Sequence, residues 1–444
     1  MAAAERRRHR IVNLVFIVYG LLLFEGVLRK WVLPQFQKEL FFIRDPFVLA
    51  IYFLCLKYRI WPRKQLWTIV ALAWMWLGGV LLLIEVMSGI LINRIGLLLG
   101  IYGWREYFFY IPLAFVIGEC LSRDDLMRVI KYTLLASIPI AILSIMQASA
   151  PATSAINAGF ADNPANTYAP LDVALGFMRT SGTFSSNEGQ ALFIGSLIPM
   201  VLWIWILPPE RRPLRRLMLW SVTLAVLTNL AVSGQRTAFV LALLVVLTAL
   251  GAAALMPRGY VAQRTLKITF GLLLGGAIAA LVLFQSQLNA LSVRAAGAAV
   301  GDTWYSYGLV NRAAGDFTHF IELIPDAPWL GYGLGIGGNG TTRMGVSEPV
   351  SAEDDWSRNI VDLGPALGGL FIGFRILLVA SLIAGAVAAA RRWGDLLPLL
   401  LLGFIGIVLL YGQITGQGSV NGYAWLFAGF CIAASSTAGD EALL

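Results

Sequence analysis

Charge is what this chain lacks most. Asp, Glu, Lys and Arg make up 13% of its 444 residues, against roughly 25% in a soluble domain. With 58% hydrophobic residues and a mean hydropathy of +0.75, a water-soluble globular fold is excluded. Two histidines, His9 and His319, are too few for a His-ligated metal centre. The three cysteines, Cys55, Cys120 and Cys431, are far apart, in or beside apolar segments, and form neither a disulfide framework nor a metal-ligand spacing. Alternating strands of about 10 residues are missing, which excludes a membrane β-barrel. No internal repeat is visible, which disfavours transporter folds built from inverted halves. The basic start MAAAERRRHR is not followed by a small-residue cleavage site, so a retained first helix is expected rather than a signal peptide.

What is present in abundance is long apolar runs, each a candidate spanning helix. They fall at roughly 11–28, 43–60, 66–87, 94–118, 129–147, 184–207, 217–233, 237–256, 266–284, 361–389, 395–411 and 419–436. The expected fold is all-α, a polytopic transmembrane bundle of about 12 spans forming one domain over 1–444. A net charge of +8 does not indicate a nucleic-acid partner, because 20 of the 33 basic residues sit in short loops on one side, as the positive-inside rule requires. Both termini are then cytoplasmic, and the segments 148–183, 234–236 and 285–360 face outward. Gaining or losing one span would move these segments to opposite faces.

The segment 285–360, between the ninth and tenth spans, is the longest polar interruption. In LVNRAAGDFTHFIELI, Arg312, Asp316 and His319 share one face of a helix ending at Pro325, and Phe317, Phe320, Ile321 and Ile324 face the other way. Either this face is solvated or it presents a cation, an acid and an imidazole to a ligand. The glycines that follow, including Gly333 and Gly335, allow close backbone approach, a phosphate-cradling nest or a surface turn. Glu353, Asp354 and Asp355 precede a helix capped by Ser357 or Asn359, where acids either complement the helix dipole or accept a proton. Arg294 and Arg358 add cations. Arg236, in the fragment SGQR between two spans, lies on the side where the positive-inside rule gives it no reason to be, and its planar fork suits phosphate oxygens. Within the spans, Glu85, Arg105, Glu106 and Arg375 must face the bundle interior and pair, or contact lipid.

Four ordered segments carry a resemblance: SGTFSSNEGQALF (Ser181 to Phe193), SGQRTAFV (Ser233 to Val240), NRAAGDFTHFIELIPDAPWLGYGLG (Asn311 to Gly335) and VDLGPALGGLFIGF (Val361 to Phe374). In order, topology and spacing the chain resembles the bacterial O-antigen ligase and O-antigen polymerase superfamily over roughly residues 180 to 375. The resemblance implies an inner-membrane glycosyltransferase, needing neither metal nor cofactor, whose donor is an undecaprenyl-diphosphate-linked glycan. Its phosphate-binding arginines map onto Arg236 and Arg312. It also implies a glycan acceptor, and the flippase and chain-length regulator of the same pathway as possible partners. Ligases of the family carry a His-Asn pair where this chain reads SAEDDWSRN, without histidine. Glu353 or Asp354 stands in that place, which favours a polymerase.

Such a transfer needs cations on the leaving diphosphate, a base for the acceptor hydroxyl and an apolar groove for the lipid. Arg236 and Arg312 are the expected catalytic cations, and Glu353 or Asp354 the base. Arg294, Asp316, His319, Gly333, Gly335 and Arg358 are the expected substrate contacts. The expected activity is polymerisation of lipid-linked repeat units into exopolysaccharide or O-antigen. The alternatives are a ligase or related oligosaccharyltransferase, a lipid-linked glycan flippase or secondary transporter, and a noncatalytic assembly subunit.

Overall fold

The computed structural model describes residues 2–62, 66–89, 94–151, 153–158, 173–174, 177–255, 260–283, 317–338 and 354–439. The chain is helical: α1 (Ala2–Val27, continued by a π-turn Leu28–Val32), α2 (Asp45–Tyr58), α3 (Leu66–Met87), α4 (Arg94–Trp104), α5 (Ile111–Cys120), α6 (Arg123–Ser149), α7 (Asn187–Ile206), α8 (Arg216–Val232), α9 (Arg236–Leu255), α10 (Tyr260–Leu283), α11 (His319–Leu323), α12 (Asp355–Trp393), α13 (Leu397–Tyr411) and α14 (Gly418–Ser436). A two-residue ladder, Val173↔Met178 and Ala174↔Phe177, is the strand pairing among the described residues. All three cysteines are buried and free.

Local chemistry sets the helix ends. Ser122 and Asp125 form a reciprocal capping box at the start of α6. Ser186 caps α7 through Gly189 N–H, and prolines open α2, α5 and α13, where a missing N–H costs nothing. Among the described residues, six helices are long and apolar enough to cross a membrane: α1 with its π-turn, α3, α6, α7, α9 and α12. The apolar α8 and α13 are shorter. In α7, 89% of the apolar window is buried, against 22% in α3. So α7 lies at the centre, and α3 shows Leu66, Trp76 and Met87 to the outside.

Two expected spans are built differently. The run at 94–118 is interrupted by a π-segment, Arg105–Phe109, ahead of Pro112, and that turn carries the buried charges. The run at 361–389 starts earlier, at Asp355, and breaks at Gly364, whose φ of 77° and ψ of 170° are non-helical.

Side-chain contacts sort the helix ends into two groups. At one end Arg8 reaches Cys120 O and Asp125, Arg10 reaches Tyr58, Arg264 reaches Leu207 O and Arg123 pairs with Asp395. At the other, Lys30 meets the Ser181 turn, Gln147 meets Gly182, Gln235 meets Thr180, and Asp355 meets Thr415. The second end holds the candidate site.

Candidate functional site

The α12 break builds the core of this end. Gly364 is forced by contact as well as by φ, since a Cβ there would lie 2.1 Å from Trp329 O. The short limb, 355–363, folds back along the long limb. A Cβ on Gly368 would meet Asn359 O at 2.5 Å, and Asp355 reaches Arg375. Asp355 is fully buried and also accepts from Thr415 N at 3.1 Å and Thr415 Oγ1 at 2.8 Å. Arg375, also fully buried, donates from Nε to Leu409 O at 2.7 Å and from Nη2 to Gly412 O at 3.1 Å. Each of the three guanidinium nitrogens therefore has a partner within the chain.

The glycine segment packs into the same region. Gly331, Gly333 and Gly335 have φ of 73°, 119° and 83°, which a side chain rarely adopts. A Cβ on Gly331 would lie 2.4 Å from Asp362 O, and one on Gly335 2.6 Å from Leu99 O. The N–H groups a nest would offer a phosphate are engaged elsewhere. Leu334 N donates to both Glu85 oxygens at 3.1–3.2 Å, and Gly337 N donates to Asp362 Oδ1 at 2.6 Å. The glycines serve close packing of this loop against α3, α4 and α12, with Gly333 and Gly335 inside that packing. Arg358 is buried too. Its Nε donates to Gly337 O and its Nη1 reaches Asp355 at 3.4 Å, so it braces the loop rather than facing outward.

Asp354 is the N-cap of α12, a role the sequence assigned to Ser357 or Asn359. It accepts from Ser357 N at 2.8 Å and Ser357 Oγ at 2.6 Å. Above it sits α11, held by Phe317, Phe320, Leu323 and Ala327 against Trp356 and Ile360. Ile321 and Ile324, expected on the packed face, are exposed. The reason is Trp356, whose ring takes Phe317 and Phe320 edge-on and turns the helix by one position. His319 is 40% exposed, with Nε2 at 3.5 Å from Glu322 and Nδ1 at 4.0 Å from Asp354 Oδ2.

Two further buried layers lie at this end. Glu25 joins Arg29 at 2.9 Å and Arg44 at 3.0 Å, while Arg105 joins Asp45 at 2.7 Å and Glu106. The pairing of Arg105 with Glu106 is as the sequence suggested. Lys30 is 7% exposed. Its ammonium donates to Ser181 Oγ at 2.8 Å and Gly182 O at 2.9 Å, beside the Trp31 ring. Thr180, the preceding residue, donates to Gln190 at 2.8 Å and accepts from Gln235 Nε2 at 3.1 Å.

Arg236 follows Gln235 and opens α9. It is exposed, and it has no hydrogen bond or ion pair among the described residues. Directly below it, α7, α8, α9 and α10 enclose a half-open apolar groove of about 310 Å³. Leu230, Ala231 and Phe239 line its upper part. A second chamber of about 390 Å³ shares Thr223, Leu227, Leu272 and Gly276 with the first and ends at Trp205 and Trp220. From Ala231 to Trp220 the groove runs about 16 Å at the helical rise. Gly271 and Gly275 border it with nothing within 4 Å of an added Cβ. Their lack of a side chain therefore leaves space instead of admitting a neighbouring helix.

Of the sequence-expected residues, the structure gathers Asp354, His319, Arg358, Gly333 and Gly335 around the α12 limb and sets Arg236 at the groove. Arg294, Arg312, Asp316 and Glu353 lie outside the described residues. Sequence reading missed Lys30, Gln190, Gln235 and Asp362, and placed Glu85 in the bundle interior without its partner, Leu334 N–H. The available signal was an ionisable or amide side chain at the edge of an apolar run. Comparison of the chain with protein-family models, curated proteins and solved structures gives no match.

Proposed function

We propose that the chain is a membrane glycosyltransferase that polymerises polyprenyl-diphosphate-linked oligosaccharide repeats. In this reading twelve spans place both termini in the bacterial cytoplasm. The α8–α9 turn and the large 285–360 segment then face the periplasm. The observation that carries it is the unengaged Arg236 guanidinium at the head of a long apolar groove. A single amphiphile with an anionic head and a hydrocarbon tail satisfies both parts. An arginine fork pairs with diphosphate oxygens bidentately, and Arg312 is the second cation proposed from the sequence.

The chemistry is one displacement. An acceptor hydroxyl oxygen attacks the anomeric carbon, and the bond from that carbon to the diphosphate oxygen breaks. The electron pair leaves with the diphosphate, inverting the centre. The arginines stabilise the charge that develops there. The acceptor proton goes to a base. Asp354 accepts from Ser357 N and Ser357 Oγ, which commits this carboxylate to capping α12. The half-exposed imidazole of His319, 4.0 Å from Asp354, is the base we propose; Glu353 is the other candidate from the sequence.

A deletion strain carrying wild type or Arg236→Ala, with lipid-linked glycans and surface polymer resolved by size, tests the reading. Accumulated single repeat units with loss of long polymer is the expected result. Lipid-linked polymer of normal length that fails to reach its acceptor would identify a ligase. Wild-type behaviour at normal expression would overturn the role of Arg236.

A further inference from the structure

A further cleft lies at the opposite end of the bundle, away from the Arg236 turn. It has a volume of about 580 Å³ and opens between α3, α5, α12 and α14, within the size range of ligand sites. Its deep walls are apolar, from Phe115, Leu378, Leu382 and Ile432. Its rim carries Arg392, Trp393 and the hydroxyls of Ser435 and Ser436. Ser381 Oγ is held by Trp67 Nε1 at 2.9 Å. Gly385 borders the cleft, and an added Cβ there would meet nothing closer than Ser435 Oγ at 3.8 Å. The opening therefore persists because side chains on α12 are small, not because helices are forced apart.

Arg392 distinguishes this cleft from an ordinary crevice between apolar helices. It is exposed, and it has no hydrogen bond or carboxylate partner among the described residues. The nearby Asp395 is paired with Arg123 at 2.8 Å. The Arg392 guanidinium lies 5.0 Å from the Trp393 ring centre; that contact positions a cation without neutralising it. Tryptophans and unpaired arginines at a bundle end sit at headgroup depth in a membrane. The Ser435 and Ser436 hydroxyls donate to Cys431 O and Ala433 O, which leaves an apolar chamber below and an unneutralised fork above, and these two match one ligand chemistry.

We propose that this cleft is a specific site for an anionic glycerophospholipid. One acyl chain lies between α12 and α14, and the phosphodiester is held by Arg392. This inference is independent of the transfer chemistry proposed above. On the proposed orientation the cleft opens to the cytoplasmic leaflet, whose anionic lipids supply the ligand.

The test is native mass spectrometry on the full-length protein in detergent, titrated with phosphatidylglycerol or phosphatidylethanolamine. The expected result is at least tenfold preference for phosphatidylglycerol. Arg392→Ala, an exposed change, should reduce that preference to below twofold. Arg391→Ala, next to it but outside the cleft, should retain the preference. Gly385→Leu should lower retention of both lipids at least fivefold, while a monodisperse elution peak reports intact folding. Equal retention of the two lipids by wild type, or an unchanged preference in Arg392→Ala, overturns the proposal. The sequence continues with Asp440 and Glu441, which offers another partner for Arg392. If Asp440→Asn with Glu441→Gln raises phosphatidylglycerol retention fivefold or more, the chain's own acids occupy the arginine, and the proposal falls.

Discussion

Arg375 and Arg236 belong to the same end of the bundle and have opposite circumstances. Arg375 has no exposed surface, and its guanidinium is held by Asp355 and two carbonyls. Arg236 is exposed and holds nothing described. A buried cation whose three nitrogens all hold partners within the chain has no face turned to a substrate. An unengaged cation above an apolar groove exists at no structural cost and is free to take one. The contrast separates charges that build this end from charges that can act there, a distinction that position in the sequence does not make.

That contrast predicts a graded set of effects. The largest loss of stability belongs to Arg375→Ala, which leaves Asp355 buried and without its strongest partner. About 3–5 kcal/mol is expected, read as loss of folded protein on size exclusion in detergent. A variant that still elutes at wild-type yield would break the comparison. Gly335→Ala is next, because both its φ of 83° and the 2.6 Å approach to Leu99 O oppose a side chain. About 1–3 kcal/mol is expected, seen as a lower thermal midpoint. Asp354→Ala removes the α12 cap at about 1 kcal/mol. In polymer assays it should lower the yield less than His319→Ala does, if orientation is its only role. Arg236→Ala should shift stability by less than about 0.5 kcal/mol yet cost a factor of about 10²–10³ in turnover. Arg236→Lys at full activity would show that charge suffices without the fork.

The helical class and most element positions were legible in the sequence because apolar runs of spanning length have few other fates. The runs at 66–87 and 217–233 lie within a residue of α3 and α8. Less legible were the elements where charge enters the bundle. The Gly364–Pro365 break and the π-segment at Arg105 leave hydropathy unchanged while redirecting the backbone. Arg236 stood out in the sequence because it sits where charge placement rules leave it unexplained. Arg358 and the glycines looked like ligand contacts because residue type alone does not show whether a donor already has a partner inside the chain.

The folded-back limb of α12 also carries a timetable. Asp355 and Arg375 leave the ribosome before their other partners, Leu409 O, Gly412 O and Thr415, which follow some 34 to 40 residues behind Arg375. At synthesis rates of about 5–20 residues per second, that interval is roughly 2–8 s. Until α13 has been made, the arginine has only Asp355 to shield it. The two residues must therefore enter the membrane together as a neutral hairpin, and the last two helices arrive to seal a charge pair already in place.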